Sequence, residues 1–135
     1  MDAEAVIRAL LVADSAVTAL APVTRIYPSE IPEDAALPAI ATNTVSTVDL
    51  PTDGAATEAN RLVRSRIEVT VVASDLVQHQ QLMRAATNAC RYQRGTLAGV
   101  SVVLVERDSV GVRRRDPDTG VYTQPVDFFV THREP

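Results

Sequence analysis

RSRIEVTVVASDLVQHQQLMRAATNAC, residues 64–90, changes its hydrophobic period in the middle. Up to Ala73 the period is two: Ile67, Val69, Val71 and Ala73 alternate with Arg66, Glu68 and Thr70, as in a strand with one packed and one wet face. From Leu76 onward the period is helical, with Leu76, Leu82, Met83, Ala86, Ala89 and Cys90 on one stripe. Ser74 and Asp75 between the two are N-cap residues. Arg91 and Arg94 suit a helix C-terminus, and Gly95 is the expected stop. A half-buried strand followed by an amphipathic helix implies a sheet with helices on one face, an α+β fold.

The same reading extends toward the N-terminus. Val6, Leu10 and Ala13 form a helical stripe with Ile7 and Leu11 beside it, and Asp2 and Glu4 sit where the helix dipole favours acids. Asp14 and Ser15 restart a short helix carrying Val17 and Leu20, which Pro22 closes. Arg25 to Pro28 is a brief extended piece. An acidic loop with Glu30, Glu33 and Asp34 leads to a β-branched strand over residues 39–48. A long hairpin loop centred on Asp53-Gly54 then joins that strand to Arg61 and the stretch quoted above.

Toward the C-terminus, residues 100–110 and 121–131 read as a hairpin turning at Asp116 to Gly120. Val103 and Val105 are set against Leu104 and Glu106. Tyr122, Val126, Phe128 and Val130 share a face. Pro125 lacks an amide hydrogen, so its strand is expected at a sheet edge or bulged. The whole is one domain over residues 1–135, an antiparallel or mixed sheet with two helices packed on one face in the order α-β-β-β-α-β-β.

A chain of 135 residues buries about two-thirds of its unfolded surface and needs no staple. The apolar fraction is built from Ala and Val, with no Trp, so the core should be aliphatic. Thirteen basic residues, every one Arg, against seventeen acids give a net charge of −4, which argues against a generic nucleic-acid binder. The single cysteine, Cys90, excludes an internal disulfide and has no metal-ligand spacing around it. No apolar run approaches the roughly 20 residues of a membrane span, and acids precede the first apolar residues, so the chain is expected to be soluble and intracellular when made.

Catalytic chemistry is poorly represented. His79 falls within the long helix and His132 near the C-terminus, each without a local motif. Ser101 and Cys90 are nucleophiles by residue type alone. The glycines match no phosphate-binding pattern, and the loop acids match no calcium loop. No catalytic, metal or cofactor residues are assigned, and the chain is not expected to be an enzyme.

The densest feature is VRRRDPDTGVYTQPVDFFV, residues 112–130. Arg113, Arg114 and Arg115 could track a phosphate backbone. Alternation would split them between two faces, and Asp108, Asp116 and Asp118 lie close enough in sequence to offset their charge. The plainer reading is a solvated hairpin end whose arginines pair with acids of the same or a neighbouring subunit.

ALLVADSAVTAL, then RIYP at 25–28, LPAI at 37–40, RSRIEVTVVAS before a helix and a closing DPDTGVYTQPVDFFV together resemble the phage tail completion family. These are the tail terminator or head-tail joining proteins of long-tailed phages and prophages. The loop from about Leu50 to Asn60 is longer than the family pattern. The resemblance implies a structural virion protein, assembled in the host cytoplasm, that closes the head-proximal end of the tail tube as a homo-oligomeric ring, typically a hexamer. It would stop tube polymerisation and join the tail to the head connector. Implied partners are the major tail tube protein, the connector or stopper protein, and DNA passing through the lumen without sequence-specific binding; no membrane is involved. The two hairpin ends, Asp53 and Gly54 on one and Arg113 to Asp116 with Asp118 on the other, are the candidate inter-subunit, lumen-facing or tube-facing residues. Another connector component, a stopper or adaptor, and a small DNA-associated module using Arg113 to Arg115 are the alternative readings.

Overall fold

A computed structural model describes residues 2–50 and 61–134. Among these residues three helices, α1 (Ala3–Ala13), α2 (Ser15–Leu20) and α3 (Leu76–Cys90), combine with seven strands. The strands are β1 (Ile26–Pro28), β2 (Ala39–Asp49), β3 (Arg61–Ala73), β4 (Gly95–Leu97), β5 (Val100–Val110), β6 (Arg114–Arg115) and β7 (Tyr122–Glu134). They form one mixed sheet in the order β1-β2-β3-β7-β5-β4, with the short β6 pairing β7. Among the described strands only β1 and β2 run parallel. The expected α+β class holds, with α1 and α2 on either side of the expected helical break.

Each helix begins where the sequence supplies an acceptor. Asp2 accepts from the Ala5 N–H, Asp14 from Ala16 and Val17, and Asp75 from Gln78, each satisfying donors that no intrahelical carbonyl can reach. Val6, Ile7 and Leu11 of α1, Val17 of α2 and Leu82, Ala86 and Cys90 of α3 pack on the sheet face carrying Ile40, Ile67, Val69, Val71, Val126, Phe128 and Val130. The apolar core is aliphatic apart from Phe128 and Cys90, and Thr42, Ser65, His79, Thr87 and His132 are buried polar groups. The alternation expected over residues 66–73 is present along β3.

Four local expectations need correction. The helix does not run to Gly95: α3 ends at Cys90, Tyr92 takes the left-handed turn at φ 65°, and Gly95 lies in β4. The chain leaves the helix early because Tyr92 and Gln93 already bond to both backbone groups of Val105. The buried stripe of β5 is Val100, Val102 and Val105, with Val103 exposed, because a bulge between Val102 and Leu104 shifts the phase by one residue. Ala13 is exposed, and Ala3 takes its place on the buried stripe of α1.

Pro125 is neither on an edge strand nor at a bulge, since its pairing with Thr70 keeps the continuous β3–β7 register. β7 is central, paired with β3 along its whole length and with β5 from Val126 onward. The Pro125 carbonyl accepts from the Gly111 N–H at 2.8 Å, so its missing N–H falls on the side where β5 has just ended. The carbonyl of Gly111, which that N–H would have served, accepts instead from Gln124 Nε2 at 2.9 Å. Proline is thus tolerated in a central strand because a neighbouring amide side chain replaces its donor. Gly111 completes the arrangement, since a Cβ there would stand 2.6 Å from Pro125 Cγ.

Candidate interaction surface

The Gly111–Pro125 contact is the root of an arm, residues 112–121, that carries the arginine run. Asp116 shapes its tip: its Oδ1 accepts from the Asp118 N–H, and its carbonyl accepts from Gly120, which turns at φ 74°. Arg113, Arg114, Arg115, Asp116 and Asp118 are all exposed. Asp53 and Gly54 of the other hairpin lie outside the described residues.

The three arginines do not act as one patch. Arg114 and Arg115 pair with Thr123 and Tyr122 in the β6–β7 ladder, whereas Arg113 precedes the strand. Arg113 faces the helix layer, lining a groove with Arg84 of α3, Arg91 just after its end and Arg107 of β5. Arg114 lies on the bare face of the sheet, beside Glu68 and Thr70. The expected neutralisation by nearby aspartates is not formed. Asp108 pairs with Arg66 at 3.0 Å, and among the described residues no carboxylate forms a salt bridge with Arg113, Arg114 or Arg115.

Arg66 organises the bare face. It bridges Asp127 at 2.7 Å and Asp108 at 3.0 Å, linking β3, β7 and β5, and it lies with Arg64 against the ring of Phe129. The Asp127 hydrogen bond holds its pKa above the ordinary arginine value.

The structure also brings together a pair that the sequence does not show. Ser65 Oγ and His132 Nε2 stand 3.0 Å apart, and Thr47 lies 2.9 Å from the same hydroxyl. All three belong to adjacent strands, β2, β3 and β7. A nucleophile and base need an orienting group and access for a substrate. His132 Nδ1 has no hydrogen-bond partner among the described residues, and both Ser65 and His132 are buried. The chain of hydroxyls and imidazole is a cross-strand polar tie. His79 is similar: its Nε2–H donates to the Val71 carbonyl at 3.2 Å, and burial lowers its pKa. Burial likewise pushes the Cys90 thiol far up, with the Asp14 charge adding to the effect, leaving it unsuited to nucleophilic chemistry. No group of three metal-ligating side chains occurs among the described residues.

What remains accessible is surface suited to partners. Beyond Thr42, where β1 ends, residues 43–49 of β2 meet a strand on the β3 side alone among the described residues, and all are exposed. Residues 106–110 of β5 are covered only by β7 among the described residues. Val45 and Val48 stand exposed on the first of these stretches and Val110 on the second.

A solved structure titled "Virion of native gene transfer agent (GTA) particle" contains a similar chain, at a TM-score of 0.76 and 15% identity over 97% of this protein and 94% of that one. The likeness establishes a shared fold. No curated protein matches the sequence. The family model for tail completion protein gp17 matches residues 5–133, nearly the full length. The chain therefore belongs to the tail completion protein gp17 family, structural components of phage tails.

Proposed function

We propose that the protein closes the head-proximal end of the tail tube as a ring, most simply of six copies, halting tube growth and offering the head connector a surface. The observation carrying this reading is the pair of sheet margins left open among the described residues, residues 43–49 of β2 at one side and residues 106–110 of β5 at the other. They differ in sequence and lie on opposite flanks, so a contact between them is heterologous. Such a contact repeats head to tail and closes into a ring when the rotation permits. An unprotected strand edge is also a standing template for pairing with another chain.

In this arrangement the arm carrying Arg114, Arg115, Asp116 and Asp118 reaches toward the tube or the connector. Genome DNA passes through the lumen without sequence-specific contacts. Adding the protein to the tube protein of the same particle should give tubes that stop at a capped end, as seen by electron microscopy. Tubes that lengthen unchecked in its presence, with bare ends, would count against the proposal.

A further inference from the structure

The groove between α3, β5 and the arm gathers four guanidinium groups, Arg84, Arg91, Arg107 and Arg113, around a space of about 490 Å3. No carboxylate lines it; its other polar contributions are amides and a hydroxyl, and Met83 and Val110 supply apolar surface. Among the described residues the salt bridges engage Arg61 and Arg66, so the four groove arginines keep their charge uncompensated by any of them. Arg91 is steadied by the ring of Tyr92, 5.3 Å from the guanidinium carbon. Unpaired guanidinium forks suit oxyanions, carboxylate or phosphate.

A chain of net charge −4 has acids to match, and three of them are concentrated at the other flank. Glu30, Glu33 and Asp34 are exposed on the loop between β1 and β2 and form no salt bridge among the described residues. Glu30 shares a surface depression with a fourth acid, Glu68. The strand order places β1 four inter-strand steps from β5. At about 4.8 Å per step the two patches lie about 19 Å apart along the sheet. That is more than twice the Debye length of about 8 Å at physiological salt, so they hardly neutralise each other within one chain.

We infer that the arginine groove of one copy seats the acidic Glu30–Asp34 loop of the next. The inference rests on the ring reading and specifies its contact: the two patches differ, lie on opposite flanks and complement each other in sign, as a head-to-tail interface requires.

The test compares the wild-type chain, the groove reversal R107E/R113E, the loop reversal E33R/D34R and an equal mixture of the two variants. Sedimentation velocity is run with the tube protein present and absent, at about 50 mM and about 500 mM salt. All four reversed positions are exposed, and circular dichroism confirms folding; should a reversal unfold, R113Q and D34N replace it. Each variant alone should associate at least about tenfold more weakly than wild type, because R107E/R113E cancels the positive charge of the groove and E33R/D34R turns the loop positive against it. The mixture should recover association, since in an alternating ring one contact is wild-type on both sides and the other sets the two introduced carboxylates against the two introduced arginines. Wild-type assembly should weaken at high salt.

Variants that assemble as wild type does, or a mixture that fails to recover while wild type forms rings, would overturn the inference and leave the ring standing. A wild-type chain that stays monomeric even with the tube protein would remove both. If R107E/R113E assembles normally but loses salt-dependent binding to duplex DNA, the groove is a phosphate site instead.

Discussion

Replacing Gly111 with alanine tests how the arm is rooted. The new methyl would stand 2.6 Å from Pro125 Cγ and 3.1 Å from its Cδ, well inside normal contact. A pyrrolidine ring cannot rotate away, and the ladder bond between Gly111 N–H and the Pro125 carbonyl at 2.8 Å opposes separation of the strands. Overpacking of this kind costs about 1–3 kcal/mol. With a urea slope of about 2 kcal/mol/M, the unfolding midpoint should fall by about 0.5–1.5 M. Pro125→Ala removes the ring and restores an N–H facing the Gly111 carbonyl. In that background Gly111→Ala should be neutral or stabilising by up to about 1 kcal/mol, through the lost freedom of the unfolded chain. Urea unfolding of the four proteins completes a double-mutant cycle with coupling of at least about 1 kcal/mol. Equal costs in both backgrounds, or no cost in either, would refute the proposed packing.

Two further outcomes follow from the buried groups, and one from the surface. Burial depresses the His79 pKa, so the unfolded chain binds the extra proton first and stability should fall as pH drops below the ordinary value of 6.5; His79→Gln should flatten that part of a stability-versus-pH curve. Cys90 should resist thiol reagents in the folded protein and react at the rate of unfolding, and fast labelling under native conditions would contradict its burial. The charge-swap experiment supplies the surface prediction, with loss in each variant and recovery in their mixture.

The sequence exposed the parts of the fold governed by local periodicity. β3 and α3 were legible because side-chain direction follows backbone period, and the N-caps because few residues can satisfy a helix start. Sheet order was not legible, since β7 comes to lie between β3 and β5 through long-range pairing. Pro125 pointed to an edge because its compensation comes from Gln124 and Gly111, contacts that only the folded chain brings together. The phase of β5 was misjudged because a bulge costs no recognisable motif. Of the candidate surface, Arg113 to Arg115 stood out as a run, yet it divides between two faces of the sheet. Arg84, Arg91 and Arg107 join Arg113 only in three dimensions, and in the sequence Arg91 reads as a helix-terminal residue alone. Arg84 lies on α3 and Arg91 in extended backbone just past its end, so no regular spacing marks the pair.

The ring is decided most directly by counting copies at a tube end. Cryo-electron microscopy of tubes assembled with the protein should show six copies around an open lumen at one end, with neighbours joined between the β2 and β5 flanks. Single copies scattered along the tube, or a closed twofold dimer at its end, would contradict it.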